Sequence, residues 1–231
     1  MSASFDIDAF AAAFAAGVVD ASSAWDLRRV GDLYATLEKS IDEASRALPP
    51  FACRKGCTAC CYSPLTITAL EWRFLHAHLL ELDENEWERI VDAAELVRPL
   101  LPELVKQHRE GIGAILQMQC PFLIDGACSV YAARPLICRA FGKTFIDKGI
   151  GAPPGDDEPR LFASVLAHAH IERSFPPKFR LPLASTYIDR MRSMTHEAKG
   201  ALAPLPLWLF AHLDGRRLAP KADLAPDFSR L

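Results

Sequence analysis

The chain has 231 residues, half of them apolar, and 26 Lys and Arg stand against 29 Asp and Glu for a net charge of −3 and a pI near 6.2. That balance carries no electrostatic footprint for nucleic acid or anionic lipid, and no long run of Lys or Arg adds one, so neither partner is expected. A chain of this size buries roughly 70–75 % of its unfolded surface, so it needs neither metal nor disulfides merely to have a core, and one domain over 1–231 is expected.

In chain order, residues 6–19 read as a short packing helix. Asp6 and Asp8 precede the apolar run 9–19, which lacks a basic start and is too short to cross a bilayer. Neither a secretory leader nor an anchor is expected, and the compartment reads as cytoplasmic. Over residues 25–48, Val30, Leu33, Tyr34, Leu37, Ile41, Ala44 and Leu48 fall on one stripe. This predicts a helix capped by Ser22 or Ser23 and stopped by Pro49-Pro50. Thr68 with Glu71, and Asp83 with Glu86, have capping-box spacing. They open helices through Trp72 and Leu79 and through Trp87 and Val91. Pro99 and Pro102 break or kink the second. Further helices are expected over 161–172, 185–199 and 205–213, and the tail after Leu218 is expected to lie extended or to fray.

The seven cysteines form two groups, Cys53, Cys57, Cys60 and Cys61 within nine residues and Cys120, Cys128 and Cys138 within nineteen. Such spacing lets thiolates converge on a metal. A cytosolic chain keeps its thiols reduced, and an odd count leaves one unpaired in any disulfide scheme. Cys57, Cys60 and Cys61 stand at i, i+3 and i+4, so one helical turn would point their sulfurs to one side, with Gly56 bending the chain to bring Cys53 round. Pro64 limits that helix to about one turn. Adjacent Cys60 and Cys61 would diverge by about 100° on a helix, so either a multi-metal cluster uses both or one is a bystander.

Around the second group, Asp125-Gly126 between apolar flanks predicts a two-residue hairpin that puts Cys120 and Cys128 on paired strands. Cys138 follows on a helix starting near Arg134-Pro135. Four thiolates on a divalent ion, or on a 4Fe-4S core in its 2+ state, leave a net charge near −2 that calls for donors and cations nearby. Arg134 and Arg139 are the candidates, whereas Arg54 and Lys55 read as solvated. An isolated hairpin is marginal in water, so both the first cysteine loop and the hairpin are expected to depend on the metal.

The segments Cys53-x3-Cys57-x2-Cys60-Cys61, Cys120-Pro121-Phe122-Leu123 and Gly126-x-Cys128-x-Val130-Tyr131-x2-Arg134-Pro135-x2-Cys138-Arg139 resemble the YkgJ-type cysteine cluster family, described as zinc- or iron-chelating. The resemblance covers about residues 53–141 and implies a metal-chelating domain. The flagellin lysine methylases, a related group with a similar cluster, imply that catalysis on a protein side chain is an alternative.

His76 and His78, like His168 and His170, are two apart and face different ways on a helix, so they read as structural. His108, His196 and His212 are lone. No phosphate-binding Gly loop, Ser nucleophile elbow or His-Glu-x2-His motif occurs, so no organic cofactor is expected. The fold expected is mostly α, a cysteine-cluster core over 50–142 with helical flanks over 1–49 and 143–231. The function expected is a cytoplasmic protein holding an iron-sulfur cluster or zinc on Cys53, Cys57, Cys60, Cys61, Cys120, Cys128 and Cys138, with a protein partner open.

Overall fold

The apolar stripe of the first long helix is buried as its spacing requires: Val30, Leu33, Tyr34, Leu37 and Ile41 all face the interior of α1, Ala21–Ser45. The computed structural model describes residues 21–112, 116–147 and 160–231, so the helix expected over 6–19 lies outside the described residues. Ser22 and Ser23 sit within α1, and the helix ends before Pro49-Pro50, with Leu48 N–H closing a turn on Ser45 O at 2.9 Å.

Helix α2, Ala69–Leu79, starts on the expected capping box: Thr68 N–H donates to Glu71 Oε2 at 2.9 Å, and Glu71 N–H donates to Thr68 Oγ1 at 3.2 Å. At α3, Glu84–Val97, only half of that arrangement forms, with Asp83 accepting from Glu86 N–H. Pro99 and Pro102 convert its continuation into a 3-10 turn, Arg98–Leu100, and a new helix α4, Leu101–Arg109. Beyond them come α5, Leu136–Ala140, α6, Val165–Ser174, α7, Ala184–Glu197, and α8, Leu205–Ala211. Among the described residues strands occur only as short antiparallel pairs, so the fold is mostly α. One pair, Thr66–Thr68 with Leu202–Pro204, clamps the start of α2 to the start of α8.

Two apolar clusters form. One gathers Trp72, Leu75, Ile90, Leu104, Phe122, Val130 and Trp208, the other Val30, Leu37, Leu70, Leu136 and Met191, and Phe74 and Leu224 pack against both. Burying each such side chain is worth roughly 1.5–3 kcal/mol. Cys120 and Cys128 lean on the first cluster while α5, which carries Cys138, contributes Leu136 and Ala140 to the second. The second cysteine group therefore bridges two cores.

The tail, expected to lie extended or to fray, is anchored at two points. Phe228 meets the Trp208 and His108 rings at 5.0 and 5.5 Å, and Leu224 O accepts Ala201 N–H at 2.8 Å. Among the described residues no helix is long and apolar enough to cross a membrane.

His76, read as structural, and His212, read as a lone histidine, meet with ring centroids 5.6 Å apart. His76 Nε2 lies 2.8 Å from Ala219 O, and His212 Nε2 accepts Asp223 N–H at 2.8 Å while its Nδ1 faces Trp208 O at 2.8 Å. Accepting at Nε2 requires His212 to be neutral, and burial disfavours a charge on His76. Burial, then the charge of His212, lowers the pKa of His76 from 6.5 to about 4. Because the folded value is depressed, the unfolded chain binds the extra proton first. The contribution of His76 to stability is complete above pH 6.5 and is lost as pH falls toward 4. At about 1.4 kcal/mol per pKa unit the loss comes to about 3 kcal/mol. Urea denaturation of the metal-free protein at pH 7 and pH 4.5 should show that fall, and His76→Gln should flatten it.

Candidate metal centre

The first cysteine segment is two tight turns in succession. Cys57 N–H donates to Arg54 O at 2.8 Å and Cys61 N–H to Thr58 O at 2.9 Å, with Gly56 at φ +91° inside the first turn. These are i−3 bonds, so the helical turn expected from the cysteine spacing does not form. The neighbouring Cys60 and Cys61, which would diverge on a helix, instead influence each other, with Cys61 the first cause that raises the Cys60 pKa.

The Asp125-Gly126 hairpin forms as expected. Both residues have positive φ, 50° and 72°, as a type I′ turn demands, and Leu123 pairs with Cys128 and Ile124 with Ala127. Cys120, however, precedes the paired strands. Its N–H donates to Cys61 O at 2.6 Å, and Met118 N–H donates to Tyr62 O at 3.2 Å. The backbone before the hairpin thus runs against the first cysteine segment, and this contact brings the two groups together.

Cys138 is placed from farther away. Oε1 of buried Glu71 accepts Leu136 N–H at 2.8 Å, so the carboxylate that caps α2 through Oε2 also holds the first turn of α5. Burial, before any other cause, raises the Glu71 pKa, and the two backbone donors oppose it. Arg139 is spent on scaffold: its Nε donates to Arg134 O at 2.8 Å, its Nη atoms bind Glu38 and Ala132 O, and its guanidinium lies 4.2 Å over the Tyr34 ring.

All seven cysteines are free thiols, and all line one cavity of about 60 Å³. Arg54 and Arg134 line it as well, and Arg139 does not. No His, Asp or Glu lines it among the described residues. The donor set fits a soft, sulfur-loving metal. Among the described residues no group of three or more His, Cys, Asp or Glu side chains is arranged to hold one metal ion.

Burial is the leading cause that raises the pKa of Cys53 to about 11 and of Cys120 to about 12, and it also raises Cys128 and Cys138. At Cys60 the neighbouring Cys61 comes first and burial second. The Arg134 charge opposes the rise at Cys53, Cys60, Cys128 and Cys138. Thiols so raised are protonated at neutral pH, so each one that ligates must release a proton, and uptake favours higher pH.

Residues 52–158 match the CxxCxxCC family model, described as "Putative zinc- or iron-chelating domain". The match spans a little under half of the chain, and over that stretch the sequence is similar to the family. The match runs past residue 142, where the sequence pattern placed the end of the cluster core. The family's short name reads Cys-x2-Cys-x2-Cys-Cys, and the extra residue here falls in the turn from Arg54 to Cys57. No curated protein and no solved structure matches the chain significantly.

Sequence reasoning missed Gly142, which lies just past the recognised motif. It is buried at φ +77°, and a Cβ there would stand 2.5 Å from Cys53 Cβ and 3.2 Å from Cys53 Sγ. Only glycine lets the chain after α5 close on Cys53. Gly142→Ala is expected to cost about 1–2 kcal/mol for the left-handed backbone and to push Cys53 out of the cavity, lowering metal content by more than half with every thiol still present. Metal analysis beside thermal unfolding checks this, and full stoichiometry in the variant would refute it.

Proposed function

We propose that the chain is a metal-binding protein that holds zinc or iron through thiolates of both cysteine groups, with an iron-sulfur cluster or a pair of ions favoured over a single zinc. One observation carries the reading: all seven thiols line the same cavity, and no carboxylate or imidazole among the described residues shares it. Sulfur-only ligation suits zinc and iron and disfavours hard cations. A tetrahedral zinc uses four thiolates, so seven leave a surplus that one ion does not employ.

Each side chain then has a task. Cys53 and Cys57 supply sulfur from the first turn, Cys60 and Cys61 from the second, and Cys120, Cys128 and Cys138 from the elements wedged between the two cores. Glu71 fixes the α5 backbone beneath Cys138 and Gly142 gives Cys53 its place. Bound zinc would supply a cross-link among these elements, and bound iron and sulfide would supply one-electron chemistry.

The test is anaerobic purification followed by assay of iron, zinc and acid-labile sulfide with an absorption spectrum. An iron-sulfur centre gives a brown protein absorbing at about 400 nm that bleaches on reduction. A colourless preparation with one zinc per chain and no labile sulfide would overturn the preference for iron, and a chain that takes up neither metal would overturn the function.

A further inference from the structure

One buried donor beside the cavity has no partner. Arg134 lies between the 3-10 turn Tyr131–Ala133 and α5, and Pro135 after it keeps its backbone out of the helical region, at φ −55° and ψ 143°. Its carbonyl accepts Arg139 Nε–H at 2.8 Å, which pins the position from the scaffold side. Its guanidinium stacks back across the turn, 3.9 Å over the Tyr131 ring, and both residues line the cavity that holds the seven thiols. Arg54 lines the same cavity but is exposed. Arg134 Nε, by contrast, is buried and has no hydrogen-bond partner.

A buried N–H without a partner is rare in folded proteins, because an unmade bond costs more than a made one returns. The chemistry of the cavity accounts for this one. No carboxylate lines it among the described residues, and a neutral thiol is a weak acceptor. A thiolate on a metal is a charged acceptor, and four of them on a divalent ion leave a charge of about −2. The Arg134 charge also opposes the rise that burial imposes on Cys53, Cys60, Cys128 and Cys138, which come from both cysteine groups. We propose that Arg134 is a positioning residue of the metal centre: its Nε–H donates to a thiolate sulfur that ligates the metal, with the Tyr131 ring as the shelf that holds the guanidinium in place. This rests on the metal-binding reading above and separates two arginines that look alike in the sequence, since Glu38 and backbone carbonyls take the hydrogens of Arg139.

Arg134→Gln removes both the charge and the Nε–H, and should bind zinc about tenfold to a hundredfold more weakly, as loss of an outer partner costs a metal site. Arg134→Lys keeps the charge but has no N–H at the Nε position and no flat group to lie on Tyr131, so it should stay at least about threefold weaker than wild type. Cobalt(II) in place of zinc reports on the sulfur itself. A hydrogen bond draws electron density off the thiolate, so its loss should move the thiolate-to-cobalt charge-transfer band to longer wavelength in both variants. A residue that only props the fold would leave that band in place.

The experiment is zinc competition against a chromophoric chelator, with cobalt(II) absorption spectra, on full-length wild type, Arg134→Gln and Arg134→Lys, and circular dichroism of each metal-free protein to show that the helices are kept. Should Arg134→Gln fail to fold, Arg134→Lys carries the test alone. Zinc affinity in Arg134→Gln equal to wild type, full recovery in Arg134→Lys, or a cobalt band unmoved in either folded variant would each overturn the proposal. A wild type that binds none of zinc, cobalt and iron would overturn the metal-binding reading itself, so the two failures are told apart.

Discussion

Cys57→Ser and Cys138→Ser are each expected to remove most of the bound metal, although the two residues lie in different cysteine groups and are held by different parts of the fold. Cys57 sits at the end of the turn from Arg54, in a loop that contributes nothing to either core cluster, whereas Cys138 rides on α5 between Leu136 and Ala140 in the second core. Both line the one cavity. Serine nearly preserves the volume and the local turn but offers a hard hydroxyl in place of a thiolate, so the ligand changes while the packing is kept. Loss of one thiolate from a four-sulfur set opens the site and is expected to cut metal content at least severalfold in a preparation washed with chelator. Metal per chain, with far-ultraviolet circular dichroism to show that helix content is unchanged, is the measurement. Two variants that both retain full stoichiometry would show that the groups do not share a site.

How much of this was legible in the sequence follows the range of the interactions involved. The stripe of α1, the Thr68–Glu71 box and the Asp125-Gly126 turn are local, and each was placed by spacing alone. The cysteine segment misled because i, i+3 and i+4 spacing fits an α-turn as well as the two i−3 turns that form, and nothing in its own residues chooses between them. A second hairpin, Leu213–Asp214 with Arg217–Leu218, was hidden because Leu213 reads as the end of the helix expected over 205–213, which stops at Ala211.

What could not be read were contacts across the chain. Glu71 is visible as a local cap, but its second oxygen is 65 residues from its partner Leu136. Gly142 looks like any loop glycine until Cys53 is set against it. Arg139 illustrates the reverse case. Its place beside Cys138 suggested a donor to sulfur, yet Glu38 and two backbone carbonyls take its hydrogens because α1 packs over α5.

Chelation is expected to loosen the first cysteine segment selectively, leaving the helices and most of the second group in place. Sequence alone predicted that both the loop and the hairpin would come apart, since neither was expected to bury apolar surface. The hairpin has such surface: Phe122, Leu123 and Val130 are at most 5 % exposed, and Ser129 N–H donates to Phe122 O at 2.9 Å. From Cys53 to Cys61, by contrast, every residue is partly or fully exposed. The turns there depend on two short-range backbone bonds, the contact of Cys53 with Gly142 and the bond from Cys120 N–H to Cys61 O. With thiolate–metal bonds added, those turns are cross-linked to both cores. Without them the segment holds only the stability of an exposed loop. After chelator treatment, amide exchange at Cys57 and Cys61 should therefore accelerate at least tenfold, and protease should cut near Gly56. Exchange at Leu123 and Ser129 should change far less, and the helical circular dichroism should remain. Equal acceleration in the loop and the hairpin would show that the two cores do not hold the second group by themselves. Collapse of the helical signal would make the metal the keystone of the whole fold, and no change at Cys57 or Cys61 would mean that the metal does not organise the first segment.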